Sequence, residues 1–228
     1  MGFFKKIFGP SQEEVWGRVS REIGAEFIKG GFFKGVNRIE ARVQNWTITL
    51  DTYTVSTGKS TITFTRMRAP FVTRDGFRFT IHHKSIFTGM GKMLGMQDVE
   101  VGGPKFEHLE PLFGLRGYLD TELIETGYPE FDDEFVIKGT DESKLKILFK
   151  NLKIRELIEG QPELLLQVKA ITGWLGRRKY DGVDELYFQV VGIIKDPERL
   201  KQLFELFSEV LKSLHAMGTA LDDTPILR

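Results

Sequence analysis

The 228-residue sequence contains no cysteine. That excludes disulfides, thiolate metal sites, cysteine nucleophiles and iron–sulfur clusters. It has no net charge either, since 32 Lys and Arg balance 32 Asp and Glu. No global field therefore draws the chain to nucleic acid or to an anionic membrane. Long apolar runs are also missing. The longest is about Val190–Ile194, far short of the ~20 residues that cross a bilayer as a helix. Aromatic residues, by contrast, are plentiful: 19 Phe, 5 Tyr and 3 Trp supply the apolar surface that offsets chain entropy and argue against disorder. Met1–Pro10 is too short for a secretory signal, and Lys6 stands where a myristoylation pattern starting at Gly2 needs Ser or Thr. Phe3, Phe4, Ile7 and Phe8 with Lys5 and Lys6 make at most one turn of a membrane-surface helix, a peripheral contact weaker than docking on the protein's own core. The cytoplasm is the expected location.

The periodicity indicates α+β. Ser11 and Glu14 form a capping box ahead of Val15, Trp16, Val19 and Ile23, which predicts a helix from about Gln12 to Gly24. Alternation then predicts strands around Ile39–Val43, Trp46–Asp51, Ile62–Phe64 and Val72–Ile81, the last folded at Asp75-Gly76 into a hairpin pairing Val72 with Phe79. Ser85 could cap a short helix through Leu94. Strand character returns at Phe131–Lys138, followed by helices over Asp141–Phe149 and Leu152–Glu159 and strands over Leu164–Ile171 and Leu186–Ile194. Asp196, Pro197 and Gly218 frame a long amphipathic helix. The expected architecture is antiparallel sheet with an N-terminal helix and a long C-terminal helix packed on it. The expected organisation is a helix plus meander over 1–97, an acidic Gly/Pro-rich insertion or linker over 98–130, and a strand–helix–strand–strand–helix half over 131–228, with a single domain as the alternative.

Charge is distributed unevenly. Residues 1–97 carry a net +8, 98–142 a net −10 and 143–228 a net +2. Arg66, Arg68, Arg74 and Arg78 concentrate the positive stretch and are the candidate binding face. The simplest counterpart is the acidic stretch folding back, with Glu107, Glu110, Asp120, Glu122 and Glu125 as ion-pair partners.

Motifs for chemistry fail one by one. Thr57-Gly58-Lys59-Ser60 ends like a P-loop, but Tyr53 replaces its first glycine and a strand follows. Gly89–Gly95 is glycine-rich without a parallel βαβ unit around it. His82 and His83 are adjacent and so point to opposite faces of a strand, while His108 and His215 lack ligand partners at metal-binding spacing. Glu130, Asp132, Asp133 and Glu134 read as a solvated strand edge. No catalytic residue, cofactor or metal site is assigned.

Trp46–Asp51, Met96-Gln97-Asp98, Phe131–Glu142 and Asp184-Glu185-Leu186 together resemble an uncharacterised family of bacterial cytoplasmic domains of unknown function. The likeness covers most of the chain except about 104–129. Its motifs are structural, and it implies no activity.

Two functional expectations follow. The first is a non-enzymatic binding domain whose basic sheet face takes a protein partner or an anionic group, without specific nucleic-acid recognition. The alternative is a carrier of an apolar small molecule in a cavity under the C-terminal helix. The lack of a ligand cluster predicts that zinc or a chelator leaves the thermal midpoint unchanged. A rise of several degrees with zinc, reversed by chelator, would contradict this.

Overall fold

A computed structural model describes residues 9–31, 35–56, 61–86, 89, 115, 118, 121–172 and 178–225. The elements are α1 (Gln12–Glu22), β1 (Glu26–Ile28), β2 (Arg38–Val43), β3 (Trp46–Ser56), β4 (Thr61–Val72), β5 (Phe79–His83), β6 (Glu122–Leu123), α2 (Pro129–Glu134), β7 (Phe135–Gly139), α3 (Glu142–Lys150), α4 (Leu152–Glu159), β8 (Leu165–Ala170), β9 (Val183–Val191) and α5 (Pro197–Ala216). The fold is α+β, with an N-terminal helix, a nine-stranded antiparallel sheet and a long C-terminal helix.

The strand order is β1-β2-β3-β4-β9-β8-β5-β7-β6. β2, β3 and β4 form the expected meander, but β4 does not turn back on β5. It pairs instead with β9, from Phe64 opposite Val191 to Val72 opposite Val183. β5 lies between β8 and β7. Asp75-Gly76 is therefore a turn within a crossover rather than a hairpin. Gly76 takes a left-handed backbone (φ 67°), while the Asp75 carboxylate accepts from Phe77 N–H, the Thr219 hydroxyl and Lys144. Local turn chemistry is satisfied there, and the side chains around it send the strands apart.

Residues 131–134 are also not strand. Pro129 at the first helical position starts α2, and the Asp132 carboxylate accepts from the backbone N–H groups of Thr126 and Gly127 and from the Thr126 hydroxyl. The acidic cluster caps a turn instead of lining a strand edge. The proposed helix at Ser85–Leu94 falls mostly outside the described residues, as does the Phe3–Phe8 segment.

Alternation divides the sheet into two unlike faces. One face carries Ile48, Leu50, Met67, Ala69, Phe71, Phe79, Ile81, Leu166, Val168, Leu186 and Phe188, all in one buried core with α1, α3, α4 and α5. α5 is capped by Asp196, whose side chain accepts from the Glu198 and Arg199 N–H groups, and buries Leu200, Leu203, Phe204, Phe207, Val210, Leu211 and Leu214. The Trp16 indole on α1 donates to Ile194 O at 2.9 Å, tying the first helix to the loop before the last. Among the described residues no helix is long and apolar enough to cross a membrane.

Phe207→Ala or Leu211→Ala is expected to cost about 2–5 kcal/mol by removing fully buried volume. Chemical denaturation checks this; midpoints within error of the parent would mean the α5 stripe is not core.

Candidate anion-binding site

The second face of the sheet is polar across its middle and carries, beside this, a smaller apolar cluster of Phe64, Ile86, Leu115, Tyr118 and Leu165. Across it runs a row of opposed residues, Thr49–Arg68–Tyr187–Gln167–Thr80–Lys138, one from each of β3, β4, β9, β8, β5 and β7. A second row holds Asp51, Arg66 and Gln189, and a third holds Pro70, Glu185 and Lys169. These positions follow from the two-residue period: Leu186, Phe188 and Val190 enter the helix-side core, so Glu185, Tyr187 and Gln189 face the other way.

The centre of this face is one shared carboxylate. Asp51, buried to 5% exposure, accepts Arg66 Nε at 2.6 Å and Arg66 Nη2 at 3.1 Å in a bidentate fork, and Arg68 Nη2 at 2.9 Å. Two guanidinium groups thus share one carboxylate, which leaves a local surplus of positive charge. The Arg68 Nε is buried and has no hydrogen-bond acceptor among the described residues. Its side chain as a whole keeps about a third of its exposure (34%).

Aromatic and amide groups floor the site. The Arg66 guanidinium carbon lies 4.9 Å from the centre of the Tyr53 ring. The Tyr53 and Tyr187 hydroxyls both donate to Gln189 Oε1, at 2.7 and 2.6 Å. Burial holds both phenols above their usual range. It also raises the Glu185 carboxyl and lowers Lys169 to about 8; Glu185 opposes the Lys169 shift, and the neighbouring Arg66 and Arg68 add to it. Buried titratable groups displaced together in this way occur at ligand sites and in structural ion-pair networks alike.

The four arginines marked in the sequence do not form one face. Arg66 and Arg68 sit two residues apart on β4 and share a side. Arg74 is exposed beyond the end of β4. Arg78 is held at 3.1 Å by the fully buried Asp184, which also takes Arg178 at 3.1 Å. Among the described residues the ion-pair partners of Arg66, Arg68 and Arg78 are Asp51 on β3 and Asp184 on β9. Glu122 and Glu125 are exposed and make no ion pair with these arginines, and Glu107, Glu110 and Asp120 lie outside the described residues. Asp51, Gln167, Lys169, Glu185, Tyr187 and Gln189 carry no motif. Their signal was the polar alternation at 185, 187 and 189 inside an apolar run.

Further along the same side, His82 is buried, its Nε2 2.7 Å from the Tyr118 hydroxyl and its Nδ1 2.7 Å from His83 O. A cleft of about 180 Å³ opens nearby, lined by His83, Ser85, Ile86, Glu163, Gln189 and Val191 among others. Among the described residues no group of three or more His, Asp and Glu side chains could hold a metal ion.

No family model, curated protein or solved structure matches this chain, so the resemblance read from Trp46–Asp51 and Phe131–Glu142 brings no site residues to it.

Desolvation lowers His82 from an ordinary value of 6.5 to about 4. Between those values the unfolded chain binds the extra proton and the folded chain does not, so stability falls as pH drops from about 6.5 to about 4. The loss attributable to this residue is on the order of 2–3 kcal/mol. Urea midpoints across that window should decline less steeply in His82→Gln than in the parent; equal slopes would refute the assignment.

Proposed function

We propose that this chain is a non-enzymatic binding domain that takes one small anionic group, a carboxylate or phosphate, on the Arg66–Arg68 face of the sheet. The observation that carries the reading is the buried Arg68 Nε, a charged donor without an acceptor among the described residues, beside a carboxylate already shared by two guanidinium groups. An unsatisfied buried donor of this kind costs about 1–3 kcal/mol, and an oxyanion removes that cost. The surplus of about one charge suits a single anionic group better than a polyanion, whose binding depends on many simultaneous phosphate contacts.

The alternative, an apolar ligand under the C-terminal helix, has less in its favour. The α5 stripe from Leu200 to Leu214 is packed into the core side by side with sheet residues, and interiors of this kind are filled rather than hollow.

Thermal melts in acetate or phosphate at matched ionic strength test the proposal. The parent midpoint is expected to rise, by about 2.7 kcal/mol of added stability at a hundredfold excess over Kd. Arg68→Ala keeps the Arg66–Asp51 fork and should lose the rise. No anion-dependent shift, or the same shift in Arg68→Ala, overturns the reading.

A further inference from the structure

Lys169 and Glu185 stand directly opposite each other in the β8–β9 register on the polar face. Neither side chain makes a hydrogen bond or an ion pair with any described residue. The Lys169 Nζ rests instead on the Tyr187 ring, 3.3 Å from its centroid. On the far side of Tyr187 in the same row of strands is Arg68, with its unoccupied Nε. On the near side is Gln167, which is 2% exposed and whose Oε1 is also without a partner among the described residues. An amine, one unpartnered guanidinium N–H, a carboxyl group and an amide oxygen thus come from the strand positions around Tyr187, and among the described residues none of these four groups uses its full bonding capacity. Lys169 keeps partial access to solvent.

We infer that Lys169 is a reversible covalent capture site for a small α-oxo acid, its amine forming an imine with the ligand carbonyl while Arg68 holds the ligand carboxylate. The inference rests on the reading of Arg68 as an anion holder. The neutral amine adds to the carbonyl carbon, a C–N bond forms, and the proton from nitrogen passes to the former carbonyl oxygen to give a carbinolamine. Glu185, facing the amine across the strand pair, donates a proton to the departing hydroxyl, which leaves as water. It recovers a proton from nitrogen as the imine forms. The sum is one carbonyl and one amine giving one imine and one water, and hydrolysis reverses it without any further reagent.

Electrostatics favour the neutral amine that the first step needs. The charged and titratable groups facing Lys169 are Glu185 and Tyr187 on β9 and Arg66 and Arg68 on β4. Burial holds the amine near 8, with the two arginines adding to the effect and Glu185 opposing it. A desolvated lysine beside other cations is a recognised route to amine nucleophiles.

The test incubates the full chain with pyruvate and sodium cyanoborohydride near neutral pH and maps the reductively alkylated lysines by peptide mass spectrometry. Acetone, which has the same methyl ketone without the carboxylate, runs in parallel. Lys169 should be labelled by pyruvate on the order of 10-fold faster than exposed lysines, because its larger free-amine fraction outweighs its lower basicity. Arg68→Ala should remove the preference for pyruvate over acetone. If pyruvate raises the melting temperature but Lys169 is labelled no faster than exposed lysines, covalent capture is refuted while the anion reading stands. If pyruvate and acetone label Lys169 equally in the parent, the α-oxo acid assignment fails together with the role given to Arg68.

Discussion

The structure depends on the ladder between β4 and β9. β4 ends the N-terminal meander and β9 belongs to the C-terminal part of the chain, yet their register is continuous from Phe64–Val191 to Val72–Val183. Through β9 the sheet continues to β8, β5 and β7, so strands from both parts of the sequence interleave, with β5 inserted between β8 and β7. The same register assigns every side chain to a face. A slip by one residue would bring Arg66 and Arg68 into the helix-side core and send Met67 and Ala69 out.

The two faces follow different rules. The helix side is apolar and filled, and its stability comes from burial. The other side buries Asp51, Gln167, Glu185 and Gln189 almost as completely, but with groups that need partners. Most find them within the sheet: Asp51 in two arginines, Gln189 in two phenols, His82 in Tyr118 and His83. Arg68 Nε and Gln167 Oε1 find none among the described residues, and both residues lie on one row with Tyr187 between them. A face built only for stability would carry apolar side chains at these positions, since well-packed apolar groups often equal or exceed buried charges in stabilising a fold. The retained polarity is therefore informative about function.

Much of the fold was legible in the sequence. The capping box at Ser11 and Glu14 and the Asp196-Pro197 start of the last helix are local signals, and each element begins where its cap stands. The partners of β4 and β5 were not legible, because Asp75-Gly76 satisfies the requirements of a hairpin turn and of a crossover turn equally. What separates the two is the distant register of β9, which leaves no local mark. The acidic cluster at 130–134 misled for a similar reason: Asp132 acts by capping Thr126 and Gly127, a role that spacing alone does not distinguish from a charged strand edge. At the site, Arg66 and Arg68 stood out by composition. Their carboxylate and the Lys169–Glu185 pair did not, since each of those residues becomes part of the site only by lying across from a partner on another strand.

The separation of β4 from β9 matters also while the chain is being made. Val72 precedes Val183 by more than a hundred residues, which is roughly 5–20 s of translation at ordinary speeds. Throughout that interval the β2–β4 meander is complete on the ribosome with the β9 side of β4 still open. Exposed strand edges invite pairing with other nascent chains, and charged residues and proline are the usual means of discouraging it. β4 carries Arg66, Arg68 and Pro70 along this stretch. The same side chains that lie across from Asp51 and Glu185 in the finished sheet are thus of the kind that discourages edge pairing in the half-made one.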